Sequence, residues 1–239
     1  MHERYGATND EWFQWDLGEG LGRDLLPVVC RPGAPVAKGS TLQAYGKVPS
    51  RYTVQGQVVG IPGWTTHDTS VADLDRWSAH PDYGICLQTR TVRALDCDLL
   101  DRAYAQRLRD DLRTLGYTFP IRFRVNSPKF LLLFRLEGDY GKQTIQTPYG
   151  ILEFLANGQQ CVVAGTHPSG VRYQWDWSAP IPTFTPEQFD RFMVDIQSWV
   201  GISTWSAPAR SRAIERDGTS GSIEHDPVAQ FLLTHGWVR

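Results

Sequence analysis

The stretch YGICLQTRTVRALDCD, from Tyr83 to Asp98, most constrains how this chain can fold. It reads as two strands, YGICLQ and VRALDCD, joined as a β-hairpin by a polar turn at Thr89-Arg90-Thr91. In the second strand the period of two puts Val92, Ala94, Asp96 and Asp98 on one face, and Leu95 and Cys97 on the other. Two carboxylates therefore project side by side from the end of a buried strand. Like charges held that close are costly unless a cation lies between them. An all-oxygen pair suits a hard ion, Mg²⁺ or Mn²⁺. The plain alternative is a strand end with two solvated acids, one of them capping the next helix, because D-x-D arises often by chance. The surrounding segments decide between the two.

A chain of 239 residues that is 41% hydrophobic and 12% aromatic can bury the core of one large domain, with room for a small appendage. The formal net charge of -2 gives no global basic footprint, so any contact with nucleic acid must come from a local patch. The four cysteines, Cys30, Cys86, Cys97 and Cys161, are widely spaced, with no C-x-x-C. They read as buried thiols of a reducing compartment, and no zinc site is expected. The longest pure apolar run, Phe130 to Phe134, is far too short to span a bilayer, and no signal peptide is visible. The expectation is a cytoplasmic protein with no membrane partner.

In chain order, residues 1 to about 24 read as a loose or weakly helical N-terminus. A short strand follows at Leu25 to Val29, then a loop carrying Lys47, then a short helix from about Ser70 to Ser78. After Asp98, the spacing of Leu100, Tyr104, Leu108, Leu112 and Leu115 predicts a helix capped by Gly116. IRFRV and FLLLFRL read as strands. The first puts Arg122 and Arg124 on one face, and the second is apolar on both faces, as a central strand would be. With Lys129 at the intervening turn these arginines form the densest basic cluster in the sequence. EGDYGKQTIQTPYG reads as a polar loop. Ile151 to Leu155 and Gln160 to Ala164 read as a strand and its return, joined by a hairpin-type turn at Asn157-Gly158. Glu153 then sits mid-strand among apolar residues, where a lone carboxylate is expensive and calls for a partner. GTHPSGVRYQW supplies a loop with His167 and Arg172. A capping box at Thr185 to Gln188 opens a helix whose Phe189, Phe192, Met193, Ile196, Trp199 and Val200 form a core stripe. Residues 203–222 are rich in Ser, Gly and charge and read as a linker. The last stretch, 223–239, reads as one short amphipathic helix, the start of a following domain or a C-terminal helix.

Together these segments carry GK-x-P, YGI-x-L followed by LDCD, RV-x-S-P-K-x-L-L-x-F-R, ILEFLANGQQ, and G-x-HPSG-x-x-Y-x-W. That order resembles the primase-polymerase (prim-pol) domain of the archaeo-eukaryotic primase superfamily, in particular its phage and plasmid branch, over roughly residues 25 to 200. The resemblance implies an α+β, two-lobed fold: an RNA-recognition-motif-like catalytic lobe, with mixed or antiparallel sheets flanked by helices. It implies a catalytic domain over 1–202 and template-dependent nucleotidyl transfer, as a DNA primase or DNA polymerase, in DNA replication. Asp96 and Asp98 match the family's metal-binding pair and Glu153 its third acid, with two Mg²⁺ or Mn²⁺ ions bound alongside the nucleotide. Lys47, Ser127, Lys129, His167 and Arg172 fall in segments that line the nucleotide site; Arg122 and Arg124 would meet nucleotide or template. The family's second motif usually ends in a His that contacts the triphosphate, whereas this chain has Lys129 near that place. Implied partners are a single-stranded DNA template, a primer, dNTP or NTP, and a downstream helicase-type ATPase.

Two rivals stand beside this reading. A metal-dependent nuclease would also cluster acids, but restriction-type nucleases follow with E-x-K, and Glu153 is followed by Phe154-Leu155. A catalytically silent nucleic-acid-binding module would show aromatic and basic residues on its strands rather than acids that repel phosphate.

Overall fold

Ten of the twelve strands divide between two sheets, and the chain crosses from one to the other twice at one place. The computed structural model describes residues 3–40, 42 and 45–201. The linker expected at 203–222 and the helix expected within 223–239 lie outside the described residues. In chain order the strands are β1 (Leu25–Val29), β2 (Ser50–Tyr52), β3 (Val58–Gly60), β4 (Tyr83–Gln88), β5 (Val92–Leu99), β6 (Ile121–Phe123), β7 (Phe130–Leu136), β8 (Gln143–Thr147), β9 (Gly150–Leu155), β10 (Gln160–Ala164), β11 (Gln174–Asp176) and β12 (Thr183–Phe184). The α-helices are α1 (Asn9–Phe13), α2 (Val71–Ser78), α3 (Arg102–Thr114) and α4 (Pro186–Val200).

A seven-stranded sheet runs β11-β6-β7-β5-β9-β8, with β12 added to β7. A three-stranded sheet runs β1-β4-β10, and β2 and β3 form a separate ribbon. Every pairing is antiparallel except that of β12 with β7. The fold is thus α+β, as the sequence implied. Pro27 sits in β1, an edge strand, where its missing N–H breaks no central ladder.

Both hairpins expected from the sequence are corrected. β4 pairs with β1 and β10, whereas β5 pairs with β7 and β9. Likewise β9 belongs to the large sheet and β10 to the small one. The turns that looked like hairpin tips are crossovers, wired to each other. Thr89 is buried; its N–H donates to the Gln159 carbonyl at 3.0 Å and its hydroxyl to the Ala156 carbonyl at 2.5 Å. Arg90 pairs with Asp24 and Asp68, each at 2.9 Å, and also donates to the Arg23 and His67 carbonyls. A polar turn so fully bonded serves as a junction between layers, and polarity alone does not distinguish it from a solvent-facing tip.

Two cores result. One face of β5 and β7 contributes Leu95, Cys97, Leu99, Leu132 and Phe134, packed against α3 and α4. The other contributes Val92, Ala94, Leu131 and Leu133, packed with the small sheet, α1 and α2. The α4 stripe is core, as expected: Phe189, Phe192, Met193 and Ile196 are fully buried, and the Thr185–Gln188 capping box is formed. Residues before β1 are more firmly packed than a loose terminus would be. They form helical turns that bury Trp12 and Trp15. The expected loop after Leu136 contains an edge strand, β8, missed because QTIQT offers one apolar residue, Ile145. α3 is shorter than its leucine spacing suggested. Asp101 caps it by accepting from the Tyr104 N–H at 2.7 Å, so Leu100 and Leu115 fall outside and are exposed. Gly116, at φ +88°, ends it, with Tyr117 N–H reaching back to the Leu112 carbonyl at 2.9 Å. All four cysteines are buried free thiols. Among the described residues no helix is long and apolar enough to cross a membrane.

Gly150 opens β9 opposite Leu99, at φ +136°. A Cβ there would lie 2.2 Å from the Asp98 carbonyl oxygen. Gly150→Ala must therefore strain the backbone or push β5 aside, at a cost of about 1–3 kcal/mol or more. Urea unfolding checks this. A variant as stable as the parent would show that the close approach at Asp98 is relaxed at no cost.

Candidate active site

β5 carries its side chains from core into cleft along one face. Val92 and Ala94 are buried in the shared core, and Asp96 and Asp98 continue the same face beyond it. In register, Asp96 stands directly between Glu153 of β9 and Leu131 of β7, and Leu131 in turn faces Arg122 of β6. Cross-strand partners share a face, so Glu153, Asp96, Leu131 and Arg122 form one row across the sheet. Two residues further along β5, Asp98 faces Ile151 of β9.

These residues open onto a cavity of about 430 Å³. Asp96, Asp98, Glu153, Arg122, Arg124, Lys129, Lys47 and His167 all line it. Two other nominated residues are placed elsewhere. Arg172 pairs with Glu11 at 2.7 Å and donates to the Gly6 carbonyl at 2.9 Å, which ties the N-terminal segment down. Ser127 shapes the turn before β7: its hydroxyl accepts from the Lys129 N–H at 3.2 Å and from Arg124 at 3.4 Å. The strand expected over IRFRV ends at Phe123, so Arg124 reaches the cavity from just beyond β6.

Each acid is matched by a base. Arg122 lies 3.6 Å from Asp96, Lys129 3.2 Å from Asp98, and Lys142 2.9 Å from Glu153. Arg122 is held on two further sides, by the Val162 carbonyl and by the ring of Tyr173 at 4.7 Å. Burial raises the Asp96 carboxyl above the usual range, Arg122 pulls against that, and Asp98 and Glu153 push it further up.

His167 is neutral here for a clear reason. Its Nδ1 accepts from the Ser169 N–H at 3.0 Å and from Arg124 at 2.6 Å, which assigns the ring proton to Nε2. Burial, then Arg124, Lys47, Arg122 and Lys129, push the imidazole down to about 4.

Among the described residues no three His, Cys, Asp or Glu side chains stand close enough to enclose an ion. The donor chemistry of Asp96, Asp98 and Glu153 nonetheless fits a hard divalent cation. The set is all oxygen, it shares one face, and Asp96 is a carboxyl whose ionisation its acidic neighbours oppose.

Sequence reasoning missed several residues in or beside the cavity. Tyr173, beneath both arginines, stood in the last motif without an assigned role. Lys142 precedes the unforeseen β8, so its approach to Glu153 had no readable signal. Trp64, Gln159 and Gln160 also line the cavity. Gln159 belongs to the crossover mistaken for a hairpin tip, and Gln160 opens β10 directly after it.

A mixed α+β fold whose large sheet opens an acid-and-base cleft defines a class able to hold phosphates near carboxylates. The family comparison makes the class specific. The model of the bifunctional DNA primase/polymerase N-terminal domain, Prim-Pol, matches residues 20–187, more than half of the chain. The chain belongs to that family, which makes it a nucleotidyltransferase-type enzyme of DNA replication, with DNA and nucleotides as substrates. No match was found among curated proteins.

A histidine whose folded-state value lies below its unfolded value of about 6.5 stabilises the fold fully only above that value. That contribution is lost as pH falls from about 6.5 toward about 4, where the folded ring takes its proton. In an NMR titration of the nucleotide-free protein, His167 is expected to protonate near pH 4. A midpoint at 6 or above would mean that neither burial nor the surrounding cations act on it.

Proposed function

We propose that this domain joins nucleotides on a DNA template, with Asp96, Asp98 and Glu153 as the metal-holding acids. The observation that carries the reading is the in-register opposition of Asp96 and Glu153, with Asp98 next on the same face, in a cavity whose lining also includes Arg122, Arg124, Lys129, Lys47 and His167. When bound, a pair of Mg²⁺ or Mn²⁺ ions would lower the pKa of the attacking 3′-hydroxyl and stabilise the pyrophosphate leaving group. The side chains do the rest. Arg124 and Lys129 offer charge to the triphosphate, Lys129 as a point charge where family members usually present a His. His167, protonated at Nε2, donates to a phosphate oxygen without adding charge. Arg122 stays beside Asp96 as a fixed counter-charge.

The finer reading is a phage or plasmid primase–polymerase working on single-stranded template and primer with dNTP or NTP. Its proposed partner is a helicase-type ATPase, with 203–222 as a linker ahead of the 223–239 segment, in the cytoplasm of the host cell. The composition of 203–222 supports the linker.

The test is primer extension with labelled nucleotide, single-stranded template and Mn²⁺. Asp96→Asn with Asp98→Asn is expected to lower incorporation by at least about a hundredfold, the scale of losing metal-based charge stabilisation. Mn²⁺ should raise the melting temperature of the parent and not of the variant, because only the parent binds it in the folded state. Extension at a rate near the parent's would remove the acids from the reaction.

Lys129→Ala separates charge from chemistry. It should raise the apparent KM for nucleotide by about tenfold, in line with removing one charge-assisted hydrogen bond to phosphate of about 1.5–3 kcal/mol. DNA affinity should also fall, but by a smaller factor, because several other cations remain to meet a polynucleotide. An unaltered nucleotide KM would take Lys129 out of the triphosphate site.

A further inference from the structure

Beyond Arg124 and Lys129 the cleft does not close. These two residues and Phe123 also line a second cavity, of about 310 Å³, between α3 and the turn that leads into β7. Its remaining charged residues are Arg102 and Arg109, both on α3, and among the described residues no Asp or Glu lines it. In a chain with net charge -2, four cations and no acid around one groove is a marked local excess.

The placement of the two helical arginines says what the groove fits. Residues 102, 106 and 109 lie on one side of α3, and Gln106 also lines the groove. Arg102 and Arg109 are seven residues apart, roughly 10 Å along the helix axis. One phosphate group cannot bridge that span, but successive phosphates of a polynucleotide can. Neither arginine has a hydrogen-bond or ion-pair partner among the described residues. The neighbouring Arg107 and Arg113, in contrast, are paired with Asp111 and Asp110. The Nε of Arg109 is buried without a hydrogen bond, and its guanidinium sits 5.7 Å from the Phe130 ring, oriented by that packing. Val125, on the groove's edge, is 60% exposed and gives an apolar rest for a sugar or base edge.

We propose that this groove binds the phosphodiester backbone of single-stranded DNA and leads it past Lys129 to the acids. This deepens, and rests on, the proposed polymerase reading. Lys129 is the joint. It lines both cavities and lies 3.2 Å from Asp98, so a strand in the groove ends beside the carboxylates. Arg102 and Arg109 thereby act as strand-positioning residues, and neither lines the nucleotide cavity.

The experiment measures binding of a fluorescent single-stranded oligonucleotide to the 239-residue chain across a salt series, together with the nucleotide KM in primer extension. Arg102→Gln with Arg109→Gln should make the slope of log K against log salt shallower by about 0.7 for each phosphate no longer neutralised. By the same counterion term, affinity at about 0.1 M salt should fall about twentyfold. Nucleotide KM at saturating DNA should stay at the parent value. Arg102→Glu serves as a second variant that packing cannot compromise, because Arg102 is exposed in the first turn of α3. It should weaken DNA binding in the same direction. If both variants bind DNA with the parent's affinity and salt slope, the groove is not the DNA path. Weakened nucleotide binding with unchanged DNA binding would overturn it equally. Either result leaves the polymerase reading intact as long as incorporation still depends on Asp96 and Asp98. A parent protein that incorporates nothing would instead remove the polymerase reading itself.

Discussion

Asp96 and Glu153 face each other across a β-ladder, and much of the large sheet is arranged around that opposition. Like charges directly opposite on a sheet destabilise the pair. The sheet keeps them because its other face is among the best-buried parts of the molecule. Behind Asp96 lie Leu95 and Cys97, fully buried, and Phe134 stacks with Phe154 and Phe184 at centroid separations of 6.1 and 5.2 Å. β5 has ladder partners on both sides, β7 and β9. A strand so held cannot slip to separate its acids, because a shift of one residue would turn Asp96 and Asp98 into the apolar core and Cys97 into the cleft.

The counter-charges around the acids are of two kinds, and the difference bears on how the cleft can change. Arg122 is fixed from three sides, by Asp96, the Val162 carbonyl and the Tyr173 ring, and its side chain is only 13% exposed. Lys129 and Lys142 each make one ion pair, on side chains 35% and 46% exposed. Exposed single pairs contribute little to stability, about 0–1 kcal/mol. The lysines can therefore leave Asp98 and Glu153 when a stronger cation or a phosphate competes, while Arg122 remains. Under the proposed reaction this gives a site that is neutralised when empty and open to reorganisation when loaded.

The acid face was legible in the sequence because period-two alternation reports which side a residue takes, and that depends on one strand alone. Lys129 was legible for a related reason, since a turn flanked by two clear strands lands near the strand end. Pairing was not legible in the same way. YGICLQ and VRALDCD look like hairpin partners, yet only the bonds of Thr89 to Gln159 and Ala156 reveal a crossover, and those involve residues about seventy positions away. The placement of Arg172 was not legible for the converse reason. It sits in the motif-bearing loop, but the short helical segment at the N-terminus offers Glu11, a partner no local pattern announces. The cations Arg102 and Arg109 were passed over because on a helix alone they read as a solvated face. Only the fold sets them beside Arg124 and Lys129.

His167 shows how the surrounding charge sets the role of a group. Burial first and then four basic side chains depress its proton affinity, and Ser169 and Arg124 together occupy Nδ1. A cationic imidazole at this position would add to repulsion already present among Arg124, Lys47, Arg122 and Lys129. The neutral ring avoids that and keeps a directional Nε2–H. The triphosphate of the proposed reaction brings several negative charges into the same space, which reverses the sign of the field on the ring. Its pKa should then climb from about 4 as nucleotide binds, while burial still holds it below the ordinary histidine value, so binding draws a proton from solution at mildly acid pH. That linkage makes nucleotide affinity tighten as pH falls from about 6.5 toward about 4. It is set by a ring that touches none of the three acids in the hydrogen bonds it makes, and so the pH response of binding is separable from that of the acids themselves.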